Sequence, residues 1–307
     1  MSDFMFIFIN VMLPIAIIVI IGYVVQLRFK LDRGTLAKLM INYIMPVFIF
    51  MNLFEADMEF TLLLSVLLFL ILYAALTFIL TYFIGRAMGL EPGHQILFTN
   101  SNLFYNAGNY GVPVNDLVFR SDPYAMSVQI MMVFFQNMFA YSYGVVSLRA
   151  AESGKWKALL GYFKMPIFYG LALGLIFNFF NIGVPASVYI PFDYISDAMI
   201  GTVLFILGAQ IAGISFRRIR ISAVAASFIR LIIGPVLTIV LLLLFNLDGV
   251  VAQAILITTA MPSAVNSTII AQQYSDDPEY AAEIVMFSTL FSVVTVPLVI
   301  YIALNVF

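Results

Sequence analysis

Five asparagines, two glycines and a proline fall within Thr99 to Asp116, TNSNLFYNAGNYGVPVND, in a chain that otherwise reads as apolar helix. Carboxamides donate two hydrogen bonds each and accept others. Asn106 and Asn109, with the backbone groups that an interrupted helix sets free, therefore suit a carboxylate. Gly108, Gly111 and Pro113 oppose a continuous helix, because glycine raises the entropic cost of helical backbone and proline lacks a donor and presses on the preceding turn. The sequence predicts a break here, with Tyr110 inside it. At membrane depth, unwound backbone survives only against protein or a watered cavity, so the break should face a shared polar site of the kind transporters use. The competing reading is a kinked helix whose asparagines bind it to its neighbours.

The surrounding elements follow from composition. Hydrophobic residues make up 63% of the 307 and charged residues 10%, and the mean hydropathy is +1.06, against about 45–50% and 25% in soluble domains. The chain is read as a polytopic all-α membrane protein in contact with lipid. A net charge of −2 argues against a nucleic-acid partner, which needs a basic face. With no cysteine, disulfides, thiolate metal sites and a cysteine nucleophile are excluded. The sequence contains no His-Glu-x-x-His, Gly-x-Ser-x-Gly or P-loop, so an enzyme is not expected, nor is a cofactor.

At about 20 apolar residues per span, ten helices are predicted near 4–26, 35–54, 61–87, 94–119, 123–148, 157–180, 192–213, 222–246, 250–273 and 280–304. Arg28, Lys30, Arg33, Lys38, Arg86, Arg149, Lys155, Lys157, Lys164, Arg217, Arg218 and Arg220 lie at or near the loops after helices 1, 3, 5 and 7, and the opposite loops hold only Arg120. The positive-inside rule then places those four loops in the cytoplasm and both termini outside it.

The halves 1–150 and 151–307 echo one another. Met12-Leu13-Pro14-Ile15 resembles Lys164-Met165-Pro166-Ile167, Asn42 to Met45 aligns with Asp197 to Ile200, and Asp122-Pro123 returns as Asp277-Pro278. Five helices per half require the second copy to be inverted in the membrane. The predicted partner of broken helix 4 is then helix 9, where Pro262 interrupts a polar run from Thr258 to Thr268 that includes Ser263, Ala264 and Asn266. A shift of 155 sets Asn106 opposite Met261 and Gly111 opposite Asn266, so two breaks should meet at the midplane.

These two stretches resemble the auxin efflux carrier family, which includes the plant PIN exporters and bacterial organic-acid permeases such as malate permeases. The likeness rests on Asn106-Ala107-Gly108-Asn109-Tyr110-Gly111-Val112-Pro113 and on Ala260 to Tyr274, with the ten-helix layout agreeing over the whole length. It implies a fold of two inverted five-helix repeats related to sodium/proton and bile-acid carriers. A scaffold of helices 1, 2, 6 and 7 would stand beside a transport domain of helices 3–5 and 8–10. Two features depart from the plant members: Phe104-Tyr105-Asn106 replaces Leu-Pro-Asn, and only Ala151 to Lys157 stands where they carry a long hydrophilic loop.

Other residues admit two roles each. Arg230, about eight residues into helix 8, either snorkels to the cytoplasmic interface or guards the route of an anion. Asp193 and Asp197 lie one turn apart in helix 7, with Asp193 expected in solvent and Asp197 expected deeper, where it could carry a proton. His94 is expected to cap or line a loop at the mouth of helix 4. Gln129, Gln136, Asn137 and Gln210 are expected to join helices. Gly170, Ala172 and Gly174 allow close approach of helix 6, either within the scaffold or in a homodimer formed through it. The expected function is secondary transport of a small organic anion, malate-like or auxin-like, across the inner cell membrane, with coupling to a proton or to sodium left open. A channel built on the same broken helices is the alternative.

Overall fold

The computed structural model describes residues 3–55, 60–120, 122–144, 147–148, 166–213 and 219–307. The predicted start of helix 6 at 157–165, the junction at 150 and 151, Arg149, Lys155, Lys157, Lys164, Met165, Arg217, Arg218 and the side chain of Asn266 lie outside the described residues. Among the described residues the regular elements are helices.

Six are long and apolar enough to cross a membrane: Phe4–Phe29, Arg33–Glu55, Leu64–Ala87, Ala186–Ile211, Ile221–Phe245 and Pro278–Val306. They are helices 1, 2, 3, 7, 8 and 10 of the sequence reading. Helix 5 runs Pro123–Phe139 and continues as a π turn, Ala140–Gly144. The described part of helix 6 is Pro166–Phe179. Helix 4 is split into 4a, Pro92–Leu103, and 4b, a π turn Ala107–Gly111 followed by Val112–Phe119. Helix 9 is likewise split into 9a, Gly249–Thr259, and 9b, Val265–Tyr274.

The starts are chemically marked. Asp32, Asp122 and Asp277 accept hydrogen bonds from first-turn amides of helices 2, 5 and 10, satisfying donors that have no partner within the helix. Helix 7 begins at Ala186, six residues before the prediction, and carries Pro191 inside it. Pro191 lacks the N–H that would have bonded the Ser187 carbonyl and its ring presses on that carbonyl, yet the helix runs through it.

Four π turns stand in one relation to proline. Phe8–Met12, Met40–Ile44, Ala107–Gly111 and Ile229–Ile233 each end two residues before Pro14, Pro46, Pro113 or Pro235. A proline ring presses on the carbonyl four residues back, here that of Asn10, Asn42, Asn109 or Leu231. The wider turn moves that carbonyl away.

Helix 1 packs along helix 7, and helix 2 along helix 6. Backbone touches backbone in both pairs. A Cβ added to Gly22 would run into the carbonyl of Phe205, one on Gly208 into that of Val19, and one on Gly170 into that of Pro46. Gly170 and Gly174 are buried against helix 2, so this stripe serves packing within the chain and is not open to a second copy.

Helix 7 corrects one expectation. Asp193 is half-buried and Asp197 is exposed, the reverse of the sequence reading. The buried stripe of the helix runs through Met199, Val203 and Ile206. Met199 is two residues beyond Asp197 and so on the opposite face at about 100° per residue.

Candidate functional site

Helix 4a stops at Leu103, and Phe104 turns extended at φ −100°, ψ 100°. Tyr105 then pairs with Ser263 in an isolated antiparallel bridge between the two breaks. The Asn106 N–H donates to the Pro262 carbonyl at 2.8 Å, and the Ala264 N–H donates to the Phe104 carbonyl at 2.7 Å. Each break thus satisfies backbone groups that the other leaves free, as buried unwound chain requires. The Ser263 N–H donates to the Ser288 hydroxyl of helix 10 at 3.1 Å.

The unwound residues are therefore 104–106, not 108–113. Gly108, Asn109, Tyr110 and Gly111 belong to the π turn, and Pro113 to the helix that follows. The wide turn absorbs the proline that was expected to break the helix. The N-caps of 4b and 9b are Asn106 and Ala264, an offset of 158 where the sequence alignment used 155.

Four half-helix ends converge on this bridge. Asn106 caps 4b, its Oδ1 accepting from the Asn109 N–H at 3.3 Å. Its residue is 4% exposed and its Nδ2 has no partner among the described residues. Ala264 has no side chain able to cap 9b. The buried Ser263 hydroxyl is likewise unpartnered among the described residues. Buried helix starts with free donors are anion sites by geometry and dipole.

The opposite ends are occupied. Arg230 is 1% exposed and does not reach the interface. Its guanidinium donates to the Asn102 carbonyl of 4a and the Tyr73 hydroxyl, both at 2.6 Å, and to the Thr259 carbonyl of 9a. It also sits 5.2 Å from the Tyr105 ring centroid and 5.8 Å from that of Tyr73. Gln136 donates from helix 5 to the Leu103 carbonyl at 2.9 Å. Beyond the crossing, Asn115, Gln129 and Thr258 form a buried group in which Asn115 and Thr258 donate to Gln129 Oε1, and Gln129 donates to the Ala107 carbonyl at 2.7 Å. Sequence assigned no individual role to Tyr73, Tyr105, Asn115 or Thr258. A polar residue with an aromatic one nearby in an apolar span was the available signal.

A cavity of about 50 Å³ lies at the crossing. Phe104 to Asn109, Val133, Gln136, Asn137, Ala140 and Ala264 form one wall, and residues of helices 2, 6 and 7, including Met45, Ile167 and Gln210, form the other. Ala37, Ile41 and Gln210 also line a larger vestibule of about 1010 Å³, between the 1–2 loop and helix 7 on one side and helices 9b and 10 on the other. Lys30, Arg33 and Lys38 line that vestibule together with Asp32, Glu279 and Glu283. Asp197 is not among the residues lining either space.

An ion cluster ties three helix starts together beside it. Asp277 accepts from Arg220 at 2.8 Å and is 3.0 Å from His94 Nε2, while Arg220 reaches Glu283 at 3.7 Å. His94 is thus a tie between helix 4a and the start of helix 10. Burial works to raise the Asp277 carboxyl, but hydrogen bonds from His94 and Arg220 and the Arg220 charge hold it below the usual range. A carboxyl held low in the folded state stabilises above the ordinary aspartate value, about 3.9, and loses that contribution as pH falls through the lowered value. The melting temperature of Asp277→Asn should fall below that of the parent protein at pH 7, and the gap should close as the pH is taken below about 4. An unchanging gap would assign the effect to the helix cap alone.

A family model described as membrane transport protein matches residues 151–300. An "Uncharacterized transporter" of Methanothermobacter thermautotrophicus is 23% identical over 299 residues, 93% of this chain and 95% of the relative. A "Putative malonate transporter" of Rhizobium meliloti is 26% identical over 203 residues, 63% of each chain. "Auxin efflux carrier component 1" of Arabidopsis thaliana is 28% identical over 140 residues, 45% of this chain and 22% of the plant protein.

Proposed function

Since the chain belongs to the auxin efflux carrier family of membrane transport proteins, we propose that it is a secondary carrier for a small organic anion, working by alternating access. The observation that carries this reading is the cavity where two half-helix N-termini meet an unpartnered Asn106 amide and an uncapped Ala264. The carboxylate is held by the Asn106 and Asn109 side-chain amides and the Gly108 N–H at the start of 4b, while Tyr110 and Gly111, whose N–H groups donate to the Asn106 carbonyl, and Pro113 shape the turn that presents them. Helix 9 contributes Pro262, Ser263, Ala264 and Asn266.

The cavity lies on a seam. Helices 2, 6 and 7 line one side and helices 4, 5 and 9 the other, which supports a scaffold of helices 1, 2, 6 and 7 and a moving domain of helices 3–5 and 8–10. We read these as two inverted repeats, 1–150 and 151–307. By the positive-inside rule, the vestibule opens to the cytoplasm and both termini lie outside it. The bridge between the breaks makes the crossing one mechanical unit, so substrate travels with the moving domain in an elevator-like step.

Malonate, named for the Rhizobium relative, is the first probe and malate the second. Purified protein in liposomes should accumulate labelled malonate or malate without ATP and with saturation. Strict ATP dependence or single-channel currents would overturn the carrier reading. Asn106→Ala removes a donor to a charged ligand, worth about 0.5–3 kcal/mol, and should weaken binding about 2- to 150-fold in protein that still folds. Asn266→Ala should act alike. If both folded variants bind at parental affinity, the crossing is not the site.

A further inference from the structure

Each half-helix end carries about half an elementary charge, negative at the C-termini of 4a and 9a and positive at the N-termini of 4b and 9b. The crossing therefore gathers about one unit of each sign. The negative unit is answered. One Arg230 nitrogen donates to the Asn102 carbonyl in the last turn of 4a, and another to the Thr259 carbonyl that ends 9a. The residue is buried at 1% exposure. The positive unit is unanswered, because the described residues that line the cavity include no carboxylate. An independent observation points the same way: the Asn106 Nδ2, on a residue 4% exposed that lines this cavity, has no partner among the described residues.

We infer that Arg230 is the fixed counter-charge of the crossing. It cancels the two half-helix C-termini, so that the two N-termini present about one unit of positive potential to the cavity, the complement of a single carboxylate. This rests on reading the cavity as the substrate site. Arg230 does not line the cavity and acts through the helix ends, so it is a positioning residue. Without it, the C-termini would offset the N-termini and the site would lose its preference for an anion. The guanidinium is held among two backbone carbonyls and the rings of Tyr73 and Tyr105.

Charge is separable from shape by three substitutions, with labelled malonate as the probe and purified full-length protein in detergent. Arg230→Lys should bind malonate within about threefold of the parent protein, and Arg230→Gln at least about tenfold more weakly. Relative to the parent at the same pH, Arg230→His should bind malonate progressively more weakly as the pH rises through the ordinary histidine value of about 6.5. Ligand-free melting should follow the same order, lysine above glutamine, with the histidine variant stabilised as pH falls. Parental affinity in Arg230→Gln, or equal losses in the lysine and glutamine variants, overturns the inference. So does an affinity of Arg230→His, relative to the parent, that stays flat with pH. Failure of both Arg230→Lys and Arg230→Gln to fold also overturns it, because the shape of the guanidinium would then matter and its charge would not. If only Arg230→Gln fails to fold, the lysine and histidine variants decide. Failure of the parent protein to bind any carboxylate counts against the carrier reading alone, and the ligand-free melting order still tests the counter-charge.

Discussion

Ala264→Asp should melt at or above the temperature of the parent protein and bind organic anions at least about a hundredfold more weakly. Ala264 occupies the N-cap of helix 9b with φ −68° and ψ 135°, the extended conformation from which a side chain can accept first-turn amides, and alanine offers none. Aspartate at an N-cap is more stable than alanine by about 0.5–2 kcal/mol. The cavity adjoins this residue, so the new carboxylate has room. It would satisfy the donors that the substrate otherwise meets and repel a second anion. Loss of about 2.7 kcal/mol of binding is a hundredfold. Ala264→Ser, a neutral cap, separates the two effects: it should gain stability with a much smaller loss of affinity. Thermal unfolding and equilibrium binding on the same preparations read both. Parental affinity in the aspartate variant would remove this helix start from the site.

Gly208→Leu should prevent assembly. A Cβ at this position meets the Val19 carbonyl and the Tyr23 amide of helix 1, and both are backbone atoms that no rotamer change can move. Separating the two helices exposes the contact along their whole length, so the cost should reach about 3 kcal/mol or more, beyond ordinary overpacking. Gly201→Leu is the control, on the same helix two turns earlier, where an added Cβ meets nothing within 4 Å. The first variant should give no monodisperse protein on size exclusion, and the second should elute and melt as the parent does. Equal behaviour of the two would contradict the backbone contact between helices 1 and 7.

The spans were legible because twenty apolar residues in a row have few other fates, and their ends because aspartate and proline mark first turns. The presence of two breaks was legible too, from Asn106 to Pro113 and from Pro262. Their position was not. Local preference pointed to Gly108, Gly111 and Pro113, but the chain unwinds at 104–106, where the Pro262 carbonyl receives Asn106 and the Ala264 amide meets Phe104, 156 and 160 residues apart in the chain. Tertiary pairing decided the point of rupture, and a π turn absorbed the proline.

Sequence left Arg230 between two roles for a related reason. Depth along helix 8 was counted from sequence, whereas its partners, Tyr73, Asn102 and Thr259, come from three other helices. Asp197 failed on rotation: its face of helix 7 is opposite the buried stripe. The candidate ligand amides needed no such detail, since Asn106 and Asn109 are conspicuous in any apolar context.

The bridge between Tyr105 and Ser263 also has a consequence for how the chain is made. When helix 4 enters the membrane, the backbone partners that Phe104 to Asn106 have in the folded chain are not yet synthesised. At roughly 5–20 residues per second, the interval before Ser263 is added is about 8–30 s. During that interval, bare backbone polar groups in hydrocarbon cost several kcal/mol each. Until helix 9 arrives, helix 4 must stay in a polar shelter, keep a different secondary structure, or be held by the insertion machinery. Biogenesis therefore has an obligatory late step, and chains truncated before Pro262 should be recognised and degraded as orphans even though their first eight helices are complete.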